Sequence, residues 1–266
     1  MQETFETLAR IGFAARGTVY ILIGGLAVLT AFGQGGATTD TKGALTTVLA
    51  QPLGGVILIC IAAGLFFFSA WRFAQAFLNA DHLGASRKGL MRRIGYGIGG
   101  LVNTGLAVSA AGIAIGYAAS GSGEQNARDW TQFLFLLPFG RWIVGGVGAA
   151  VIAVGMGIGL RSFKPSFGKT MRIRPEVQKW ALPLGRVGFL ARAAVFLMVG
   201  GFLIFAAWTA NPSQARGLAG SLKSVQDQPF GWLLFGMLAI GLFLFGVFQF
   251  ALAKYRRIDA PTGFDN

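Results

Sequence analysis

The sequence predicts an all-α membrane protein: six transmembrane helices as three parallel two-helix repeats, with a pseudo-threefold arrangement and short interfacial helices on the outer side. Three observations carry this. The 266 residues are 54% hydrophobic and only 12% charged, whereas a soluble domain has about 25% charged residues to cover its surface. Six apolar stretches each exceed the roughly 20 residues that cross a hydrocarbon core of about 30 Å. A two-span unit also recurs three times along the chain. The single cysteine excludes a disulfide scaffold, and the 41 glycines lack the three-residue period of a collagen.

In chain order, Met1 to Arg10 holds Glu3 and Glu6 without a basic start. The apolar run that follows is too long for a signal peptide, so the first span is expected to be retained. The spans run from Ile11 to Phe32, Leu53 to Leu78, Ile94 to Ala118, Phe139 to Leu160, Arg186 to Trp208 and Gly231 to Ala253. They lack period-2 alternation and are about twice the length of a membrane strand, which excludes a barrel. The second span of each pair opens on proline and glycine: Pro52-Leu-Gly54, Pro138-Phe-Gly140 and Pro229-Phe-Gly231. Proline is expected there at the first helical position, where its missing N–H is not needed. Ahead of each proline lie apolar residues at helical spacing: Ala44, Leu45, Val48 and Leu49; Trp130, Phe133, Leu134 and Leu137; Leu218, Leu222 and Val225. Such segments are too short to span and suit helices on the outer interface.

The first span of each pair carries the clearest repeat. Arg10-Ile-Gly-Phe-Ala-Ala-Arg16 aligns with Arg186-Val-Gly-Phe-Leu-Ala-Arg192 and continues to Gly24 and Gly200. The middle copy begins Arg93-Ile-Gly-Tyr96 and then has Gly99 in place of the second arginine. The chain therefore reads as one membrane domain, 1–266, with repeats at 8–81, 90–163 and 184–258.

Net charge is +13. Eighteen basic residues fall on the side of the two termini and five on the other, and about +12 of the excess lies on the first side. The positive-inside rule then places both termini in the cytoplasm and accounts for the charge without nucleic acid. Trp71 and Trp180 fall at cytoplasmic boundaries, and Trp130, Trp142, Trp208 and Trp232 at outer ones. Trp71, Trp142, Trp208 and Trp232 are expected to act as interface anchors.

The Arg-x-Gly-Phe starts, Gln-Pro-Leu-Gly and Gln-Pro-Phe-Gly, Trp-Arg-Phe-Ala-Gln-Ala-Phe at Trp71 to Phe77, and Lys-Tyr-Arg-Arg-Ile at Lys254 to Ile258 resemble the bacterial membrane family called domain of unknown function 1206. The resemblance covers nearly the whole chain. It implies three two-span repeats and no activity. The middle repeat departs most, with Gly99, Asn103 and Gly157 replacing Arg16, Tyr20 and Trp71.

No span contains Asp or Glu, and the only histidine, His82, falls in a loop. Proton relays, carboxylate-coupled transport and metal or haem chemistry need such groups at depth, so no catalytic residue, metal or cofactor is expected. Cys60, among Ile59, Ile61 and Ala62, reads as a packed thiol of low reactivity. Gly95-Tyr-Gly97-Ile-Gly-Gly100 matches a dinucleotide pattern, but it opens an apolar span instead of following a strand.

Steps of four along the first spans align Gly12, Arg16, Tyr20 and Gly24; Gly95, Gly99 and Asn103; Gly188, Arg192, Phe196 and Gly200. The small residues Gly12, Gly24, Gly95, Gly99, Gly188 and Gly200 are expected to pack against neighbouring helices. Arg16 and Arg192 share their face, about 9 Å deeper than Arg10 and Arg186. Three readings stand open for them. They snorkel to the interface, they line with Arg72 a basic pocket for an anionic lipid headgroup, or they serve permeation. The expected role is a non-enzymatic membrane module binding anionic lipids, an acidic protein or a second copy. The alternative is a channel or transporter for a small anionic or neutral solute.

Overall fold

The computed structural model describes residues 2–32, 41–78, 86–117, 123–164, 167–168 and 174–256. His82 lies outside them. Among the described residues there are nine α-helices and no strand: α1 (Gln2–Ala31), α2 (Thr41–Leu49), α3 (Gly54–Phe77), α4 (Arg87–Ala114), α5 (Gly123–Phe135), α6 (Gly140–Phe163), α7 (Pro175–Thr209), α8 (Leu218–Gln226) and α9 (Gly231–Tyr255). Six of them, α1, α3, α4, α6, α7 and α9, are long and apolar enough to cross a membrane. Helix is the only way such segments can satisfy their backbone within lipid without neighbours.

The junction between short helix and second span differs from expectation. Pro52, Pro138 and Pro229 stand two residues ahead of the first helical residue, not on it. The residues between, Leu53, Phe139 and Phe230, take left-handed backbone with φ of 60°, 62° and 59°. A side-chain-bearing residue there costs about 1–2 kcal/mol, so its recurrence in all three repeats marks a joint that the surroundings enforce. The following glycine is obligatory, because a Cβ at Gly231 would lie 2.7 Å from the carbonyl carbon of Gln226, with the same conflict at Gly54 and Gly140. α7 also begins earlier than hydropathy suggests, at Pro175 instead of Arg186, with Pro183 inside it. The added 11 residues, among them Glu176, Gln178 and Lys179, extend it by about 16 Å.

The spans pack in the order α6, α7, α9, α1, α3, α4. Seams between repeats (α3 with α4, α6 with α7, α9 with α1) are all present and extensive. Seams within a repeat are present for α1 with α3 and for α7 with α9, but α4 and α6 form none. The bundle is thus a pseudo-threefold ring opened inside its middle repeat.

Glycine makes the closed seams. A Cβ on Gly12 would lie 2.7 Å from the Cα of Phe68, one on Gly188 2.6 Å from the Cα of Phe245, and one on Gly24 2.7 Å from the Cα of Phe243. A Cβ on Gly200 would lie 2.7 Å from the carbonyl oxygen of Gly148. Gly95 and Gly99 correct the expectation: a Cβ on either would meet nothing within 4 Å. With α6 absent from that side, their smallness has no partner to serve. Between α3 and α4, Ser69 Oγ donates to the Gly100 carbonyl at 2.7 Å and lies 2.6 Å from Thr104 Oγ1.

Arginines at the start of the first spans of the first and middle repeats clamp the adjoining repeat of the ring. Arg10 donates to the carbonyls of Ala253 and Lys254 at the end of α9, the latter at 2.7 Å, and pairs with Glu6. Arg93 donates to Ala76 and Phe77 at the end of α3, at 2.7 and 3.0 Å. Cations there satisfy carbonyls that a helix end leaves without a partner.

At the other end, α2, α5 and α8 form a layer over the spans, with α5 touching both α2 and α8. Leu45 and Leu222 are buried, so the apolar faces of α2 and α8 turn onto the bundle, while Trp130 and Phe133 of α5 are exposed. Glu124 of α5 accepts from the backbone N–H groups of Gly217 and Gly220 at 2.8 and 3.1 Å, capping α8.

Candidate functional site

Arginine is costly within a bilayer, about 3 kcal/mol at a span's centre, so its surroundings carry information. Arg16 of α1 is only 7% exposed. Its guanidinium carbon lies 4.9 Å from the ring centre of Phe68, 5.6 Å from Phe245 and 5.7 Å from Tyr20. Arg72 of α3 lies 4.9 Å from the centre of the same Phe68 ring and 5.1 Å from Tyr96 of α4. Arg192 of α7 lies 5.0 Å from Phe196 and 5.5 Å from Phe245. Phe68 therefore serves Arg16 and Arg72, and Phe245 serves Arg16 and Arg192. Each desolvated cation–ring contact contributes about 2 kcal/mol, which offsets the burial of each side chain.

The polar contacts are sparse by comparison. The Tyr20 hydroxyl is within hydrogen-bonding reach of both Arg16 and Arg192. Arg72 donates to Gln75 Oε1 at 3.1 Å. The Nε of Arg192 is buried without a hydrogen bond, as is Nε2 of Gln249, whose place in α9 matches that of Arg72 in α3. Arg16, Arg72 and Arg192 are mutually close enough to repel. Among the described residues the ion pairs are Arg10 with Glu6 and Arg128 with Glu124, so carboxylates are not the counter-charge of these three.

The three arginines named from sequence are thus brought together, with their guanidiniums over aromatic rings. Arg256 was missed; it lies over Phe13 at 5.2 Å and Trp71 at 5.9 Å. Trp71 corrects an expectation, since at 3% exposure it is part of an apolar core with Phe13, Phe68 and Phe248 and not an interface anchor. Trp142, Trp208 and Trp232 are exposed. Cys60 is exposed on α3 instead of packed. Phe68 and Phe245 were also missed, although counting from the Pro-x-Gly joints places them at equivalent positions, with Val154 as the third.

Towards the α2, α5 and α8 layer, the bundle is filled by Ile23, Leu58, Leu65, Phe235 and Leu242, all buried. The arginines lie between this plug and the second core at the end bearing the termini. No cluster of three or more His, Cys, Asp or Glu suited to a metal occurs among the described residues.

Fold and site together define a multi-pass helical membrane protein of tandem two-span repeats around a cluster of one buried and two half-buried arginines. The chain belongs to the family described as Domain of Unknown Function (DUF1206), whose model matches residues 11–79, 94–164 and 187–256. It is 35% identical over 239 residues to a Bacillus subtilis (strain 168) protein named "Uncharacterized protein YxxB", covering 88% of this chain and 86% of that one. No solved structure matches.

Proposed function

We propose that this protein is a non-enzymatic module of the bacterial inner membrane that holds an anionic headgroup in the cluster of Arg16, Arg72 and Arg192. The observation that carries the reading is their convergence on two shared rings, Phe68 and Phe245, with none of the three in an ion pair among the described residues. Aromatic faces occupy the guanidinium planes and leave their N–H edges to an anion. The basic end, with both termini, faces the cytoplasm by the positive-inside rule, so the headgroup comes from the cytoplasmic leaflet. The buried apolar plug of Ile23, Leu58, Leu65, Phe235 and Leu242 favours binding over permeation, which would need a polar path through the same space.

Native mass spectrometry of the full chain purified from bacterial membranes tests this. Wild type should retain anionic lipids, and the Arg16→Ala/Arg192→Ala variant should lose about tenfold of that adduct signal. Unchanged retention in a variant that keeps its thermal transition would sink the reading.

A further inference from the structure

From the geometry we infer that the ligand is a phosphomonoester lipid, a dianion with a membrane-embedded tail, whose headgroup enters sideways through the unsealed middle repeat. This rests on the reading of the arginine cluster as an anion site and specifies what it takes and by which route.

Charge selects the headgroup. Three guanidiniums, none of them in an ion pair among the described residues, exceed what one negative charge balances. A phosphodiester headgroup such as phosphatidylglycerol brings one charge and two free oxygens. A phosphomonoester brings about −1.5 to −2 at pH 7 and three acceptor oxygens. The donors available suit the richer acceptor: Arg16 is nine-tenths buried, and the Nε of Arg192 is buried with no partner. Fixed rings hold the guanidiniums, so little side-chain entropy is lost when the anion arrives.

Geometry selects the route. Threefold symmetry would put a third arginine where Gly99 stands and a second tryptophan where Gly157 stands. A Cβ on either would meet nothing within 4 Å, and no seam joins α4 to α6. Arg72 already reaches this side, lying over Tyr96, one turn before Gly99. A slot that opens within the membrane-spanning part of the bundle suits a ligand whose tail stays in lipid, since the apolar plug closes the far end.

The test uses the full-length purified protein, with phosphatidic acid, phosphatidylglycerol and inorganic phosphate as probes, read by native mass spectrometry and by ligand-induced thermal shift. Phosphatidic acid should bind about tenfold more tightly than phosphatidylglycerol at pH 7.5. That preference should narrow below about pH 6, where the monoester dianion takes up one proton and becomes a monoanion while the arginines stay charged. Gly99→Phe and, separately, Gly157→Trp should each weaken phosphatidic acid by about tenfold with the thermal transition of the free protein retained. If both glycerolipids bind equally, the monoester assignment is overturned while the anion site stands. If inorganic phosphate competes at the same concentration as the lipid, the ligand is a soluble anion. Undiminished binding in both stable glycine variants overturns the route. If no probe binds, the anion-site reading itself fails.

Discussion

The outer repeats and the middle repeat share a plan but not a closure. In the first and third, a glycine on the leading span, Gly12 or Gly188, lets the backbone of Phe68 or Phe245 approach, and an arginine four residues on lies against that same phenylalanine. In the middle copy Gly95 is retained, while the arginine is Gly99 and the phenylalanine is Val154, which is exposed. The lesson is that a small residue only permits close contact; the large ring opposite and the cation on it supply the attraction. Contacts between repeats, by contrast, survive in all three copies.

The largest test removes the ring. Phe68→Ala should destabilise the protein by about 3–5 kcal/mol, as large core truncations do, while Val154→Ala stays within about 0.5 kcal/mol; unfolding in denaturing detergent followed by tryptophan fluorescence measures both. Equal effects would mean that the middle seam forms after all. Next come the glycines, with effects of opposite sign. Gly12→Ala forces a methyl onto the backbone of Phe68 and should cost about 1–3 kcal/mol, whereas Gly95→Ala gains helix propensity and should stabilise by about 0.5–1 kcal/mol. Their thermal transitions should move in opposite directions.

The clamps between repeats should ignore the distinction. Arg10→Ala and Arg93→Ala each lose charge-assisted bonds to the end of the adjoining repeat and should each cost about 1.5–3 kcal/mol by the same unfolding assay. A much smaller loss for Arg93 would show that the middle repeat is loose at every seam. Smallest is the strained joint common to all copies. Leu53→Gly, Phe139→Gly and Phe230→Gly relieve left-handed backbone and should stabilise by up to about 1 kcal/mol, alike in the three repeats. Paired thermal melts would reveal any repeat that departs from the others.

Much of this was legible in the sequence because a bilayer imposes a one-dimensional rule. Span number, the short helices and the repeat follow from the distribution of apolar residues and from Pro-x-Gly punctuation. Of the site, Arg16, Arg72 and Arg192 were recognisable because charge within an apolar run is conspicuous. Phe68 and Phe245 were not, since 24 phenylalanines look alike until a neighbouring backbone selects two of them. Trp71 was misplaced for a related reason: its depth matched an interface, but its rotation about α3 turns it inward. Gly95 and Gly99 were misread because a helix face gives no sign of whether the facing helix is present.

By itself, then, the sequence determined which segments are long and apolar enough to span and that the unit occurs three times, because burial of apolar surface in lipid depends on composition along the chain. The tertiary structure alone decided which seams close, which rings carry the arginines and which side of the ring stays open. Those outcomes turn on the azimuth of each helix and on close contact between faces distant in sequence, where a gap of an ångström or two removes the attraction altogether.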